Sequence, residues 1–441
     1  MPHSRESRSM LACVNSDRRH RQCHFLRLVS MSTRTERLKP HVPAPKKESL
    51  GRAYWYLWTG TCLNRVGQLL PAFFTIYLVH ENLATIETAG WIIGAQGAGS
   101  IVAALLGGVL SMRFGSRRTI IYSQLTTALF AGALSLSMPV WGLAFVAFLA
   151  GCATTIHRPA GTALVAHTVP ARERARAYGL LYWASNIGVS AAPLLAGAVM
   201  ELAPQLMFAL NAATSVSYAL IATRIPESSF QSDDTGPRKK SWRHSVKKAV
   251  TPFVQLPIAP FIFLNFLLAA VYLQCRSALP VDMADHGLSA STVGVALSVN
   301  GILVVVLQPF ASHFAGSSRL LPKFITASVV IGLGFFLHGF WNSPIGYICS
   351  IAVWTLGEVV LAPLGSSLIA IWAGVEEQAT HQAAYFFAWN LGVAVSAPVG
   401  LWGLEYLGST IFWSCTCALA LIVALGHIVL ANFYPYGEPD A

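Results

Sequence analysis

Residues 159–189 read PAGTALVAHTVPARERARAYGLLYWASNIGV, and residues 363–393 read PLGSSLIAIWAGVEEQATHQAAYFFAWNLGV. A constant offset of 204 aligns them without a gap and makes ten of the 31 positions identical. Any two apolar stretches share some Ala, Gly and Val. The Pro159/Pro363, Glu173/Glu377 and Asn186/Asn390 pairs in the same register are much harder to obtain by composition. The chain therefore reads as two related halves, with their interface as the natural place for a site.

Working outward, runs of roughly 20 predominantly apolar residues, the length that crosses a bilayer, occur twelve times. They cover about 54–79, 89–111, 119–138, 141–165, 177–200, 205–224, 258–280, 291–315, 321–341, 344–372, 381–404 and 409–432. Only 11% of the residues are charged and 54% are hydrophobic, against about 25% charged in a soluble chain. The longest polar interruption after the N-terminal tail, with Asp233, Asp234 and a run of Lys and Arg, separates six runs from six. The expected fold is an all-α integral membrane protein with twelve transmembrane helices in two pseudo-symmetric six-helix halves. The expected parts are a basic, disordered cytoplasmic tail 1–52, an N-terminal half 53–224, a cytoplasmic linker 225–257, a C-terminal half 258–432 and a cytoplasmic tail 433–441. No part of 1–52 is apolar enough for a secretory signal, so the first span is expected to direct insertion. Met31 offers a second start, which leaves residues 1–30 as either an extension or no part of the mature protein.

The net charge of +11 is no nucleic-acid signal. Twelve of the 30 Lys and Arg lie in residues 1–52, and most others sit in short loops on one side. Those loops carry Arg113, Arg117 and Arg118, then Arg172, Arg174 and Arg176, the linker, and Arg319 with Lys323. The opposite loops carry Glu81, Glu87, Glu201, Asp282, Asp285 and Glu405, with Arg276 the one nearby cation. Positive charge stays on the cytoplasmic side of a membrane protein, so both termini are expected there, in a cell membrane. The eight cysteines show no metal-ligand or disulfide spacing, and no metal or cofactor is expected.

Between the second and third spans the chain reads Gly108-Val-Leu-Ser-Met-Arg113-Phe-Gly115-Ser-Arg117-Arg118. This resembles the major facilitator superfamily signature G-x-L-a-D-R-x-G-R-R, with Met112 in place of its acid. In the fifth span, Gly188-Val-Ser-Ala-Ala192-Pro193-Leu-Leu-Ala-Gly197 is similar to the G-x-x-x-G-P-x-x-G-G motif of the drug–proton antiporter branch. Ala stands at two of its glycine positions, and small residues of either kind let helix backbones approach closely. The resemblance covers about 54–432 and implies alternating access between the halves. Its loop signature implies a cytoplasmic gate of Gly108, Arg113, Gly115, Arg117 and Arg118. With the family's acid missing, Glu377, beside Glu376, becomes the expected partner of this basic loop, and the repeat predicts Glu173 with Arg319 or Lys323. The alternative is a set of solvated charges worth about 0–1 kcal/mol each.

Within the spans the ionisable groups are Arg65, Arg158, Arg276 and Glu358. A charge at the bilayer centre costs at least about 2.5–3.5 kcal/mol, so each needs a wet cavity or a partner. In the family the first, fourth, seventh and tenth spans line the central cavity. Glu358, the one acid that reads as deep in a span, is the proton-coupling candidate; the alternative is a permanent pair with Arg65 or Arg158. His157 is a further proton carrier or a packing histidine. Arg276, near a span end, reads as snorkelling to the surface. Asn64, Arg65, Gln68, Arg158, Trp354, Tyr385 and Trp389 are the cavity candidates, and such a cavity suits an amphipathic or cationic aromatic compound. Gly188, Ala192, Pro193 and Gly197 form the helix-packing motif.

One deep acid cannot build a metal site or an acid–base pair, which argues against an enzyme. No G-x-x-x-x-G-K-S/T loop occurs, which argues against an ATP-driven pump. The function implied is proton-coupled efflux of small amphipathic compounds by a monomer whose partners are substrate, protons and lipid, not nucleic acid. Proton-coupled uptake of a small metabolite and a non-transporting sensor on the same scaffold are the alternatives.

Overall fold

The structure, a computed structural model, describes residues 50–226, 250–315 and 320–433. Residues 1–49 of the expected tail, most of the linker, Arg319 and the chain beyond Phe433 lie outside the described residues, and Gly51 and Arg52 already belong to the first helix. Among the described residues the regular structure is helical throughout.

The N-terminal half contains α1 (Gly51–Val66), α2 (Leu70–His80), α3 (Ile86–Phe114), α4 (Ser116–Leu134), α5 (Val140–Thr168), α6 (Arg174–Leu202) and α7 (Leu206–Ala222). The C-terminal half contains α8 (Ile258–Tyr272), α9 (Ala278–Asp285), α10 (Ala290–Ala315), α11 (Leu320–His338), α12 (Pro344–Leu407) and α13 (Ser409–Phe433). Eight segments among the described residues are by themselves long and apolar enough to cross a membrane. The other expected spans are shorter, more polar or interrupted: α1–α2, α3, α4 and α7.

Element α12 covers two expected spans with continuous helical backbone. It cannot be straight. Gln382 Nε2 donates to Ser366 O at 2.7 Å, whereas 16 residues of straight helix separate such groups by about 24 Å. The element folds back between two membrane segments, Pro344–Ala373 and Thr380–Leu407.

Local chemistry sets several boundaries. Thr85 Oγ1 accepts from Thr88 N at 3.2 Å to cap α3, and Ser343 Oγ accepts from Gly346 N at 3.1 Å to cap α12. Gly115 has φ +83°, a left-handed conformation that costs glycine nothing, and α4 begins at the next residue. That turn explains the second glycine of the basic loop signature.

The first and seventh expected spans both break. In one, Gly67 to Leu69 separate α1 from α2; in the other, a 3-10 turn, Leu273–Arg276, separates α8 from α9. Broken backbone at membrane depth is tolerated where it is buried in protein or lines a cavity.

The offset of 204 holds in the packing as well. Gly97 lies against Ala394, and its twin Gly301 against Ser190, the twin of Ala394. Gly90 lies against Ala397, and its twin Gly294 against Pro193, the twin of Ala397. Gly188 faces the Arg65 backbone, as Gly392 faces Ala269. The halves thus meet along two matched seams, α3 on the second part of α12 and α6 on α10. Without a hydrophobic drive between helices in lipid, such small-residue seams are how helices associate.

All these seam contacts lie towards the end opposite Leu50 and Phe433. Two hydrogen bonds join the halves at the same end: Ser291 N donates to Glu201 Oε1 at 2.8 Å, and Tyr406 OH to Glu87 Oε2 at 3.3 Å.

Asp282 is a correction to the sequence reading. It is no loop acid but a buried member of α9, 2% exposed. Its Oδ2 accepts from Tyr347 OH at 2.8 Å and Trp413 Nε1 at 3.2 Å. Glu358 is therefore not the one acid inside the helices.

Candidate functional site

Between the halves lies a cavity of about 440 Å³. Both broken spans open onto it. Arg65, Gln68, Leu69 and Leu70 come from the first break, and Tyr272, Cys275, Arg276 and Ser277 from the second. Arg158 and Thr154 enter from α5, Tyr182 and Asn186 from α6, Asn300 from α10, and Trp354, Glu358 and Asn390 from α12.

Glu358 is held by two neutral donors. Tyr272 OH donates to Oε1 at 2.6 Å and Asn300 Nδ2 to Oε2 at 2.6 Å. Asn300 Nδ2 also reaches Thr355 Oγ1 at 3.0 Å, which fixes the amide against the helix that carries the acid. Among the described residues no ion pair joins Glu358 to Arg65 or Arg158, so the permanent-pair alternative is not what this state contains. A carboxylate satisfied by a phenol and an amide can gain or lose a proton without stranding a buried cation.

The repeat gives this arrangement a twin. Gln68, Gln96 and Thr154 stand 204 positions before Tyr272, Asn300 and Glu358, and all six line the cavity. Evolution of the two halves has left one polar, uncharged trio and one trio with a carboxyl group.

On the N-terminal side, Arg65 Nη1 donates to Gln68 Oε1 at 2.9 Å, and Gln68 Nε2 donates to Asn64 Oδ1 at 3.2 Å. Asn64 Nδ2 continues to Gln124 Oε1 at 2.9 Å and Ser215 Oγ at 3.4 Å. This chain ties α1 to α4 and α7 and orients Arg65. Gly188 is why Arg65 fits: a Cβ there would overlap Arg65 Cβ and backbone. Of the other packing-motif residues, Ala192 is buried, Pro193 abuts Gly294, and a Cβ on Gly197 would lie 2.5 Å from Ala290 O.

The structure places Arg65, Gln68, Arg158, Trp354 and Glu358 on the cavity wall and moves three other candidates off it. Asn64 is 1% exposed, consumed by its interhelical bonds. Tyr385 is packed with its hydroxyl against Gly365, where a side chain would collide with it. Trp389 stands behind Tyr272, ring centroids 5.8 Å apart. His157 is buried with its ring edge-on to Tyr218 at 6.0 Å, away from the cavity. Arg276 is the reverse case: it lines the cavity instead of snorkelling outward, because the 3-10 turn at Leu273–Arg276 redirects the chain there.

Sequence reading missed Tyr272 and Asn300 and placed Arg276 at the surface. The repeat held the signal for Tyr272, since Gln68 was singled out and Tyr272 is its twin.

Among the described residues, Glu173 and Arg117 of the expected gate are engaged within their own half. Glu173 Oε2 pairs with Arg176 Nη1 in its own half at 3.3 Å, an i,i+3 contact that needs no partner helix. Arg117 Nη2 donates to Thr223 O at 2.7 Å, also in its own half. Arg113 lies over Phe114, 5.6 Å from the ring centroid, and Glu377 is exposed. Among the described residues no ion pair joins Arg117 to Glu377.

The sequence profile of the Major Facilitator Superfamily matches residues 57–360 and again 276–440. A Na(+), Li(+), K(+)/H(+) antiporter of Planococcus maritimus is 23% identical over 396 residues, 83% of this chain and 92% of that protein. Multidrug resistance protein MdtH of Salmonella paratyphi B is 24% identical over 305 residues, 69% of this chain and 73% of that one. Among solved structures, a POT family transporter in complex with 5-aminolevulinic acid superposes with a TM-score of 0.74 at 16% identity. The match covers 87% of this chain and 96% of that one, and at this identity it speaks for the fold alone.

Proposed function

The chain belongs to the major facilitator superfamily, a multi-pass membrane transporter, and on that premise we propose that it is a proton-coupled secondary transporter in which Glu358 carries the proton. The observation that carries this reading is the acid on the cavity wall, held at 2.6 Å by each of two neutral donors. An intramembrane carboxyl group facing a cavity is costly unless it does something. Tyr272 comes from one broken span and Asn300 from a seam helix, so a movement of either element alters the bonds that hold Glu358. Proton occupancy is thereby tied to conformation.

The seams close the cavity at the Glu87 and Glu201 end. With both termini cytoplasmic, this is the cytoplasm-facing state, in which Arg117 donates within its own half to Thr223 O and Glu173 pairs with Arg176; the basic loop and Glu377 would meet when the seams open. Export of small amphipathic compounds in exchange for protons is the direction supported by the fifth-span motif and by the names of the antiporter and multidrug relatives. The cavity's charge favours a second reading, co-transport: protonation of Glu358 removes the one negative charge among the described lining residues, so an anionic substrate and a proton would bind together. A proton and a cationic substrate would instead compete.

Proteoliposomes with an imposed pH gradient decide between these readings. Wild type is expected to dissipate the gradient when a substrate is added, and Glu358→Gln to lose that response. Protons moving against substrate support export, and protons moving with it support co-transport. A Glu358→Gln variant as strongly proton-coupled as wild type refutes the assignment.

A further inference from the structure

We infer that the substrate is a small organic anion, its carboxylate, sulfonate or phosphonate group held by Arg65, Arg158 and Arg276. This deepens the transport reading and rests on one part of it, that the cavity between the halves is the substrate site.

Three guanidinium groups and one carboxylate line about 440 Å³. Among the described residues no Lys, His or Asp stands on that wall. The one acid, Glu358, already has both oxygens engaged by Tyr272 and Asn300. Among the described residues no carboxylate lies within ion-pair distance of any of the three arginines. Arg65 keeps a buried Nε without a hydrogen-bond partner. Like charges gathered around a low-dielectric cavity repel one another and attract a counter-charge far more strongly than they would in water.

The scaffold does not require a charge at Arg65: its twin position in the C-terminal half carries Ala269, which packs against Gly392 as Arg65 packs against Gly188. Guanidinium groups present paired N–H donors that match the oxygens of a carboxylate, sulfonate or phosphonate. Tyr182 and Tyr272 on the same wall offer aromatic surface to an aromatic or apolar body. The sign of the charge thus corrects the expectation of a cationic compound drawn from the aromatic residues.

The test is isothermal titration calorimetry on the purified full chain in detergent, against empty micelles, with three probes on one scaffold: 2-naphthoate, 2-naphthamide and 2-naphthylmethylamine. The site predicts that the carboxylate binds at least tenfold more tightly than the amide, and the amine most weakly. Arg158→Gln and Arg276→Gln should each reduce the carboxylate preference several-fold. Arg158→Lys should restore part of it, and Arg224→Gln, outside the cavity, should leave it intact. Thermal unfolding of each variant identifies any that failed to fold, and the lysine variant then carries the comparison. Equal binding of the three probes, including none at all, or a preference for the amine, overturns the inference. Because no gradient is imposed, a protein that keeps the carboxylate preference while Glu358→Gln stays fully proton-coupled refutes the proton assignment and leaves the anion site standing.

Discussion

Replacing Gly97 by alanine should open the seam between α3 and the second part of α12. A Cβ at residue 97 would lie 2.5 Å from Ala394 Cα, 2.8 Å from Ala394 N and 3.0 Å from Val393 C. All three atoms belong to backbone or Cα positions, so no rotamer change relieves the overlap. Ordinary contact needs about 3.5–4.0 Å, and the helices must separate by about 1 Å. Overpacking of this kind costs about 1–3 kcal/mol. The cost falls on the state whose seams are closed, and a state in which the halves have parted at this end does not carry it. A bias of that size changes a two-state equilibrium by about 5–150-fold.

Spin labels on cysteines placed at Leu202 and Ile345, in a background lacking the native cysteines, report the opening. Both sites are exposed, 82% and 74%, and lie in opposite halves at the closed end. Pulsed dipolar spectroscopy should show a longer inter-label distance gaining population in Gly97→Ala. Gly132→Ala is the control, because nothing lies within 4 Å of a Cβ there. Unchanged distances in Gly97→Ala, or the same change in Gly132→Ala, would refute the seam argument.

By the repeat, Gly301→Ala places a Cβ 2.5 Å from Ser190 N and should shift the same distance in the same direction. Asn300→Leu removes the 2.6 Å donor to Glu358 Oε2. At about 1.5–3 kcal/mol for a bond to a charged group, it should lower proton-coupled flux at least tenfold in the proteoliposome assay while 2-naphthoate still binds. Tyr347→Phe leaves the buried Asp282 one donor short and should lower thermal stability by about 1–3 kcal/mol, read as a fall in unfolding temperature with little effect on the naphthoate titration.

The spans were legible because bilayer-facing helices must be apolar for about 20 residues whatever they pack against. The expected run 291–315 becomes α10, Ala290–Ala315, and 409–432 becomes α13, Ser409–Phe433. The repeat was legible because the same seams are built twice, and Gly188 with Gly392 must each clear a facing backbone. The site was legible only in part. A lone acid or arginine in an apolar run stands out, which marked Glu358, Arg65 and Arg158. Asn300 and Tyr272 do not stand out, since an amide or a phenol in a helix is unremarkable until something faces it. Counting residues from span ends misplaced Arg276 and Asp282, because the 3-10 turn after Tyr272 breaks the regular relation between sequence position and depth.

By itself the sequence determined a two-half helical membrane protein and the few charges that need an explanation inside it, since composition and periodicity depend on the bilayer and not on neighbours. Only the tertiary structure decided which of those charges share a wall. It engages Glu358 with two neutral donors, leaves three arginines around one cavity, and sends Tyr385 and Asn64 into packing. These outcomes turn on side chains from spans dozens to hundreds of residues apart, whose meeting is set by how helices cross, and no local pattern encodes that.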